Sequence, residues 1–164
     1  MTINIKGYEV LIDNEDYELF SKYSWVVDKR PGRVYFKCYG GGGRKNVKHF
    51  YLHRLIAGAN EPEKGFVNTN NIVDHINHNT LDNRRCNLRI CTQAENVRNA
   101  RGKLGRGLPK GVRKASKNRF SARICANDQD VHLGTFDTVI EAKLAYDNAA
   151  KDIYGDYFYE GVMA

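Results

Sequence analysis

The sequence predicts an α+β chain made of small antiparallel sheets, and three observations carry that reading. Short aromatic and β-branched runs, punctuated by Gly, Pro and Asn, fill residues 8–52. Residues 72–99 read as strand, polar loop, strand and helix start. After Gly111, three short strand candidates precede one amphipathic helix. The expected architecture is therefore a small antiparallel β-rich N-terminal region, a central ββα unit, and a C-terminal three-stranded antiparallel sheet packed on one helix. With 164 residues and 41% hydrophobic content, the chain can fill modest cores rather than one large one.

Taken in order, residues 8–12 alternate as a strand, and residues 13–23 form an acidic turn leading into a short amphipathic helix. Residues 25–28 and 34–39 form the arms of a hairpin across Lys29-Arg30-Pro31-Gly32. The glycines at 40–43 make a second turn, 47–52 is the next strand, 54–58 starts a short helix, and 60–65 is a loop. His53, inside an apolar run, is expected to be structural, with a role beside a metal or as a base as the sharper alternative.

Charge is unevenly distributed. Residues 29–54 carry eight Lys and Arg and no acid, residues 98–123 carry ten and no acid, and residues 9–18 hold five acids. A solubilising surface mixes both signs, whereas acid-free stretches attract a polyanion, so nucleic acid is the expected partner. In the N-terminal region, Arg33, Lys37 and Lys45 interleave with Tyr35, Phe36, Tyr39, Phe50 and Tyr51, a mixture suited both to stacking with phosphate contact and to a half-buried sheet with a basic face. Cys38, Cys86, Cys91 and Cys125 form no Cys-x-x-Cys pair, which excludes a zinc ribbon and a secreted disulfide framework. With no signal-peptide pattern and no apolar run near ~18 residues, the expectation is a cytoplasmic, intracellular protein without a membrane partner.

Residues 72–99 concentrate the chemistry. Ile72 and Val73 would carry Asp74 and His75 to the end of a strand, and Asn77-His78-Asn79-Thr80 is turn chemistry that agrees with such an ending. Adjacent strand residues face opposite ways, so both reach one site only if the strand ends or twists there. Leu88–Cys91 returns as a second strand. Thr92 and Glu95 have the spacing of a capping box, which places Asn96 in the first full turn of a helix. Its carboxamide oxygen is a hard neutral ligand suited to Mg²⁺ or Mn²⁺. A carboxylate beside an imidazole, with a carboxamide arriving from a helix, is a kit for metal-assisted attack on a phosphodiester.

Asp74-His75, Asp82-Asn83-Arg84, Asn87-Leu88-Arg89 and Glu95-Asn96 at these spacings resemble the HNH endonuclease signature, over residues 67–101. The resemblance implies a ββα-metal HNH nuclease core binding one divalent ion. It makes His75 the general base on water, Asp74 a metal ligand, and Asn87 a brace that supports the loop and orients the catalytic His by hydrogen bonds. Asn96 stands where many members carry the last His, an HNN variant similar to phage intron-type homing enzymes, which moves the metal preference from zinc to Mg²⁺ or Mn²⁺. His78 occupies a turn position where the family commonly has Gly, and is expected to face solvent. Arg84, Arg85 and Arg89 are expected to contact phosphate.

Residues 102–110, with four Gly or Pro among them, read as a basic linker. Strands are expected at 111–115, 119–127 and 131–136, then a helix over 138–154 with Ile140, Leu144, Ala145, Ala149 and Ile153 on its apolar face. Gly111-Val-Arg, Arg119-Phe-Ser-Ala-Arg-Ile, His132-Leu-Gly-Thr-Phe136 and residues 141–150 resemble the DNA-binding domain of plant ethylene-response factors. That likeness implies a sheet entering the major groove, with Arg113, Lys117, Arg119 and Arg123 bonding guanine edges or phosphates. Phe120 and His132 stand where plant members carry Trp.

The expected organisation is an N-terminal DNA-contacting region over 1–60, a nuclease core over 61–101, a linker over 102–110 and a DNA-binding domain over 111–164. The expected function is that of a monomeric, Mg²⁺- or Mn²⁺-dependent DNA endonuclease of the HNH homing type. It would hydrolyse a phosphodiester in double-stranded DNA, nicking one strand, with no obligate protein partner. The alternative is a sequence-specific DNA-binding regulator with an inactive nuclease centre.

Overall fold

The computed structural model describes residues 1–40, 48–61, 66–67, 72–100, 107–126 and 129–158. The chain divides into two compact units, Met1–Gln93 and Ala94–Ala164.

In the first unit, β1 (Thr2–Ile5) and β2 (Tyr8–Leu11) form a hairpin whose inward residues Ile3, Ile5 and Val10 are buried. The β1 strand is not among the sequence expectations, although its four residues alternate polar and apolar with Ile3 and Ile5 buried. A 3₁₀ turn at Asn14–Asp16 leads into α1 (Tyr17–Ser21). The expected hairpin is β3 (Val26–Arg30) with β4 (Arg33–Gly40), and β5 (Lys48–Tyr51) completes an antiparallel sheet in the order β3-β4-β5. Of the glycine turn expected at 40–43, Gly40 ends β4, and residues 41–47, Lys45 among them, lie outside the described residues.

Alternation along β4 sorts its side chains: Phe36 and Cys38 are buried, while Arg33, Tyr35, Lys37 and Tyr39 share the other face. Next, α2 (Leu52–Ile56) starts two residues earlier than expected and buries Leu52, His53, Leu55 and Ile56. Where a loop was expected, β6 (Asn60–Glu61) pairs with β7 (Phe66–Val67), while 62–65 lie outside the described residues. The ribbon β8 (Ile72–His75) with β9 (Leu88–Cys91) follows, and its Val73 and Leu88 enter the same core as the N-terminal strands.

Helix α3 (Gln93–Asn99) starts at the last residue of the first unit, directly after Thr92, and its other residues belong to the second. β10 (Val112–Ser116), β11 (Arg119–Ala126) and β12 (Gln129–Phe136) form an antiparallel sheet in that order. Helix α4 (Val139–Tyr154) is started by a full capping box between Thr138 and Glu141. The expected apolar face of α4 is corrected. Ala142, Tyr146, Ala150 and Tyr154 are buried, with Ala145 and Ala149 packed beside them, whereas Ile140, Leu144 and Ile153 are exposed, Ile140 by 61%. Small residues let the helix approach the sheet closely, and two tyrosines fill the remaining space. At Gly111 (φ +78°) a Cβ would stand 1.9 Å from the Tyr146 ring, so only glycine fits there. Among the described residues, no helix is long and apolar enough to cross a membrane.

Candidate active site

The polar loop between β8 and β9 is held by asparagine side chains acting as backbone surrogates. The Asn77 side chain accepts from the Asn79 amide (2.8 Å) and the Asn79 side chain from the Leu81 amide (3.1 Å). Asn87 ties the two ends together: its Nδ2 donates to the Asp82 carbonyl (2.7 Å), and its Oδ1 accepts from the Asn77 amide (3.0 Å). Its backbone carbonyl also accepts from the Ile76 amide at 2.9 Å. His78 sits at φ +62°, the left-handed conformation that glycine adopts freely, and is half-buried rather than facing solvent.

The N-terminal hairpin supports this loop. Leu11 donates to the Leu81 carbonyl and accepts from the Asn83 amide, both at 2.8 Å. Arg85 donates to both oxygens of Asp16 (3.0 and 2.6 Å), and its amide donates to Asp13 (2.7 Å). Asp16 is only 2% exposed, so this fork neutralises a buried carboxylate. Part of the acidic cluster near the N-terminus thus anchors the polar loop, a pairing across some 70 residues that no local spacing reveals.

His75 ends β8, as the turn chemistry implies, and its side chain lies on the buried face with Val73. The imidazole Nε2 lies 3.2 Å from Asn83 Oδ1. Asn83 Nδ2 donates to the Thr80 carbonyl (3.3 Å), which fixes the amide so that its oxygen faces His75. Nε2 therefore carries the hydrogen and donates it, leaving Nδ1 as the basic nitrogen. Thr80 is itself tied to the sheet, its Oγ1 accepting from the Val34 amide at 3.3 Å. Orientation of the histidine ring was expected from Asn87. Among the hydrogen bonds described here, Asn83 contacts the ring and Asn87 braces the loop.

Burial holds the His75 pKa below the usual imidazole range, against the opposing pull of Asn83, Asp74 and Asp82, while the charge of Arg33 adds to the lowering. The ring is therefore neutral near pH 7 and able to accept a proton. His53, 9% exposed, packs against it with ring centroids 5.2 Å apart, and Tyr35 lies 5.5 Å from His53 and 6.4 Å from His75. Burial, then the neighbouring His75, push His53 well below its ordinary value. His53 is thus an apolar-type wall of the site rather than a charged group. Arg30 continues the cluster outward, lying over the rings of Tyr35 and Tyr51 and donating to the Tyr51 hydroxyl at 2.8 Å.

Asp74 lies opposite Arg89 in the β8–β9 register, and Arg89 donates to its Oδ2 through Nη2 (2.9 Å) and Nε (3.2 Å). Both side chains are mostly covered, 11% and 13% exposed. Arg84 forks onto Asp82, with both contacts at 2.8 Å. The three arginines expected at phosphate thus pair with carboxylates of the loop (Arg84 with Asp82), the N-terminal turn (Arg85 with Asp16) and the ribbon (Arg89 with Asp74). Arg33 is exposed and Lys37 half-buried on the outer face of β4.

Asn96 is half-buried on α3, in the second unit. There, Arg113 and Lys117 are exposed on β10 and the turn after it. Arg119 pairs with Asp137 (3.2 Å) and Arg123 with Asp130 (2.8 Å). Phe120 is half-buried against the core of the second unit, and His132 is exposed on β12, opposite Arg123.

Among the described residues, no group of three or more His, Cys, Asp or Glu is assembled for a metal. Asp74 and Asn96, the two ligands expected from the sequence, each offer a hard oxygen donor of the kind that suits Mg²⁺ or Mn²⁺. Asn83, His53 and Tyr35 were not picked out from the sequence as partners of His75. The Asp82-Asn83-Arg84 run was the available signal for Asn83, but spacing alone does not separate it from Asn87.

Residues 50–98 match the family model for HNH endonuclease, a stretch that takes in α2, β8, the loop, β9 and most of α3. The chain is also similar to an uncharacterized HNH endonuclease of Acanthamoeba polyphaga mimivirus, 28% identical over 152 residues that make up 93% of this chain and 74% of that protein. No solved structure matches.

Proposed function

We propose that the chain is a metal-dependent DNA endonuclease of the HNH type that nicks one strand of a duplex, as a monomer. The observation that carries this reading is His75: a buried, neutral imidazole at the end of β8 whose Nε2 lies 3.2 Å from Asn83 Oδ1, set by burial to accept a proton near pH 7. The matched family model over this stretch supports the reaction class.

In this reading, Nδ1 of His75 takes a proton from the water that attacks phosphorus in line. The P–O3′ bond breaks, leaving 5′-phosphate and 3′-hydroxyl ends. Asp74 and Asn96 would supply oxygen ligands to one Mg²⁺ or Mn²⁺, whose charge when bound stabilises the negative charge developing on the phosphate and leaving oxygen. Arg89 holds the Asp74 carboxylate in its cross-strand position. His53 and Tyr35 wall the imidazole on its buried side and keep water from that face. Arg33, whose charge is felt at His75, grips the substrate backbone beside the site.

The C-terminal sheet, resembling that of plant ethylene-response factors, supplies duplex affinity through Arg113, Lys117, Arg119 and Arg123. The outer face of β4, with Arg33 and Lys37, extends the grip.

Supercoiled plasmid incubated with Mg²⁺ or Mn²⁺ tests the reaction. Wild type is expected to yield open-circular DNA, and His75→Ala to lose at least about 100-fold in nicking rate while retaining its gel shift. Retarded DNA with no open-circular product from wild type in either metal would sink the nuclease reading in favour of a binding protein.

A further inference from the structure

Helix α3 spans only Gln93–Asn99, too short to hold its shape unaided. Its last carbonyls, like those of any helix, lack partners within the helix and carry its negative dipole end. Here they are capped by one ammonium from the second unit. Lys110 Nζ donates to the carbonyls of Val97 (2.9 Å), Arg98 (2.7 Å) and Ala100 (3.0 Å). Burial pulls this amine down to about 8, and three carbonyl acceptors are what make a charge tolerable there. A second tie runs from the same turn, where the Arg98 guanidinium lies 5.2 Å from the centroid of the Tyr154 ring at the end of α4. Tyr154 in turn donates from its hydroxyl to the Cys125 carbonyl of β11 at 2.7 Å.

The helix that carries Asn96 is therefore fastened at its C-terminal turn to the strand-and-helix framework of the second unit. Asn96 is the residue immediately before the capped turn.

We propose that Lys110 is a positioning residue for Asn96. By capping α3 it fixes the helix turn that directly follows Asn96 and so holds the helix that presents the Asn96 carboxamide. The inference rests on the reading of Asn96 as a metal ligand. Lys110 itself does not contact phosphate, because its ammonium is spent on three backbone oxygens. It acts through α3.

The test uses the full chain, supercoiled plasmid nicking titrated with Mg²⁺, and a metal-free gel shift on the same DNA. Lys110→Met is expected to bind DNA as wild type does, yet to need about 10-fold more Mg²⁺ for half-maximal nicking, as a lost supporting contact to a metal ligand would require. Lys110→Arg, which still donates to carbonyls, should recover most of that shift. A Lys110→Met protein with wild-type Mg²⁺ dependence overturns the proposal. If Lys110→Met loses DNA binding through misfolding, Lys110→Gln, a shorter and uncharged donor, decides in its place: it should show a rise in Mg²⁺ requirement, and an unshifted titration overturns the proposal. Asn96→Ala, run in parallel, separates the two levels. An unchanged Mg²⁺ titration for Asn96→Ala removes the ligand assignment, and the present inference with it. A shift in Asn96→Ala without one in Lys110→Met or Lys110→Gln overturns the role of Lys110 alone.

Discussion

The His75 imidazole depends on a side chain whose importance lies in its orientation. Asn83 gives one amide group two tasks: its Nδ2 donates to Thr80, and its Oδ1 accepts from His75 Nε2. Replacing it by Ala removes the acceptor that selects the tautomer and leaves a buried N–H without that partner. Asn83→Ala is expected to lower the nicking turnover about 100-fold with little change in DNA affinity, whereas Asn83→Asp, which keeps an acceptor, should lose less. Single-turnover nicking beside a gel shift reads both quantities, and equal losses in the two variants would show that the acceptor is not what matters. Asn87 belongs to a different class of residue. Its three loop contacts make it a brace, and its effect should run through the shape of the loop.

At the scale of elements, α2 and the β8–β9 ribbon meet through two histidines. Each has a folded-state pKa lowered first by burial, and each is neutral in the fold. In the unfolded chain both titrate near ~6.5. As pH falls below that value, the unfolded state takes up protons that the folded state refuses, so stability present above pH ~6.5 is lost progressively on acidification. The urea midpoint should therefore fall between pH 7.5 and 5.5, and His53→Phe, which keeps a ring against His75, should flatten that dependence. An unaltered slope in the variant would assign the acid sensitivity elsewhere. The same element-scale logic corrects α4. Its branched residues at 140, 144 and 153 face outward because close helix–sheet packing selects Ala142, Ala150 and the Tyr146 ring that lies over Gly111.

For the whole molecule, the question is which cations remain available to DNA. Arg84, Arg85 and Arg89 pair with Asp82, Asp16 and Asp74, while the side chains of Arg84 and Arg85 stay 43% and 52% exposed. Under the proposed function, polyanion attraction comes chiefly from the two acid-free stretches, 29–54 and 98–123. Duplex binding should weaken by about 10³-fold between roughly 50 and 200 mM salt, as expected for a protein neutralising several phosphates. Removing residues 106–164 should flatten the slope and leave weak, less selective cleavage. A flat response in the full chain, measured by fluorescence anisotropy against salt, would refute the role given to these stretches.

How much of this was legible in advance follows from the range of the forces involved. Alternation and turn chemistry set β3, β4, β8, β9 and the three C-terminal strands, because period-two burial and Gly, Asn or Pro punctuation are written locally. The Asp74-His75 pair at a strand end was legible for the same reason, whereas the brace role of Asn87 came only from the resemblance to the HNH signature. Four features were not: Asn83 as the partner of His75, His53 and Tyr35 as its walls, Arg85 locked onto Asp16, and Lys110 capping α3. Each joins groups that are distant in sequence or chemically interchangeable along it, so periodicity carries no trace of the choice. By itself the sequence determined the chemistry available and the strand–loop–strand–helix order that carries it. The tertiary structure alone decided which of several similar asparagines and arginines touch the site, because burial and hydrogen-bond satisfaction are properties of the packed chain.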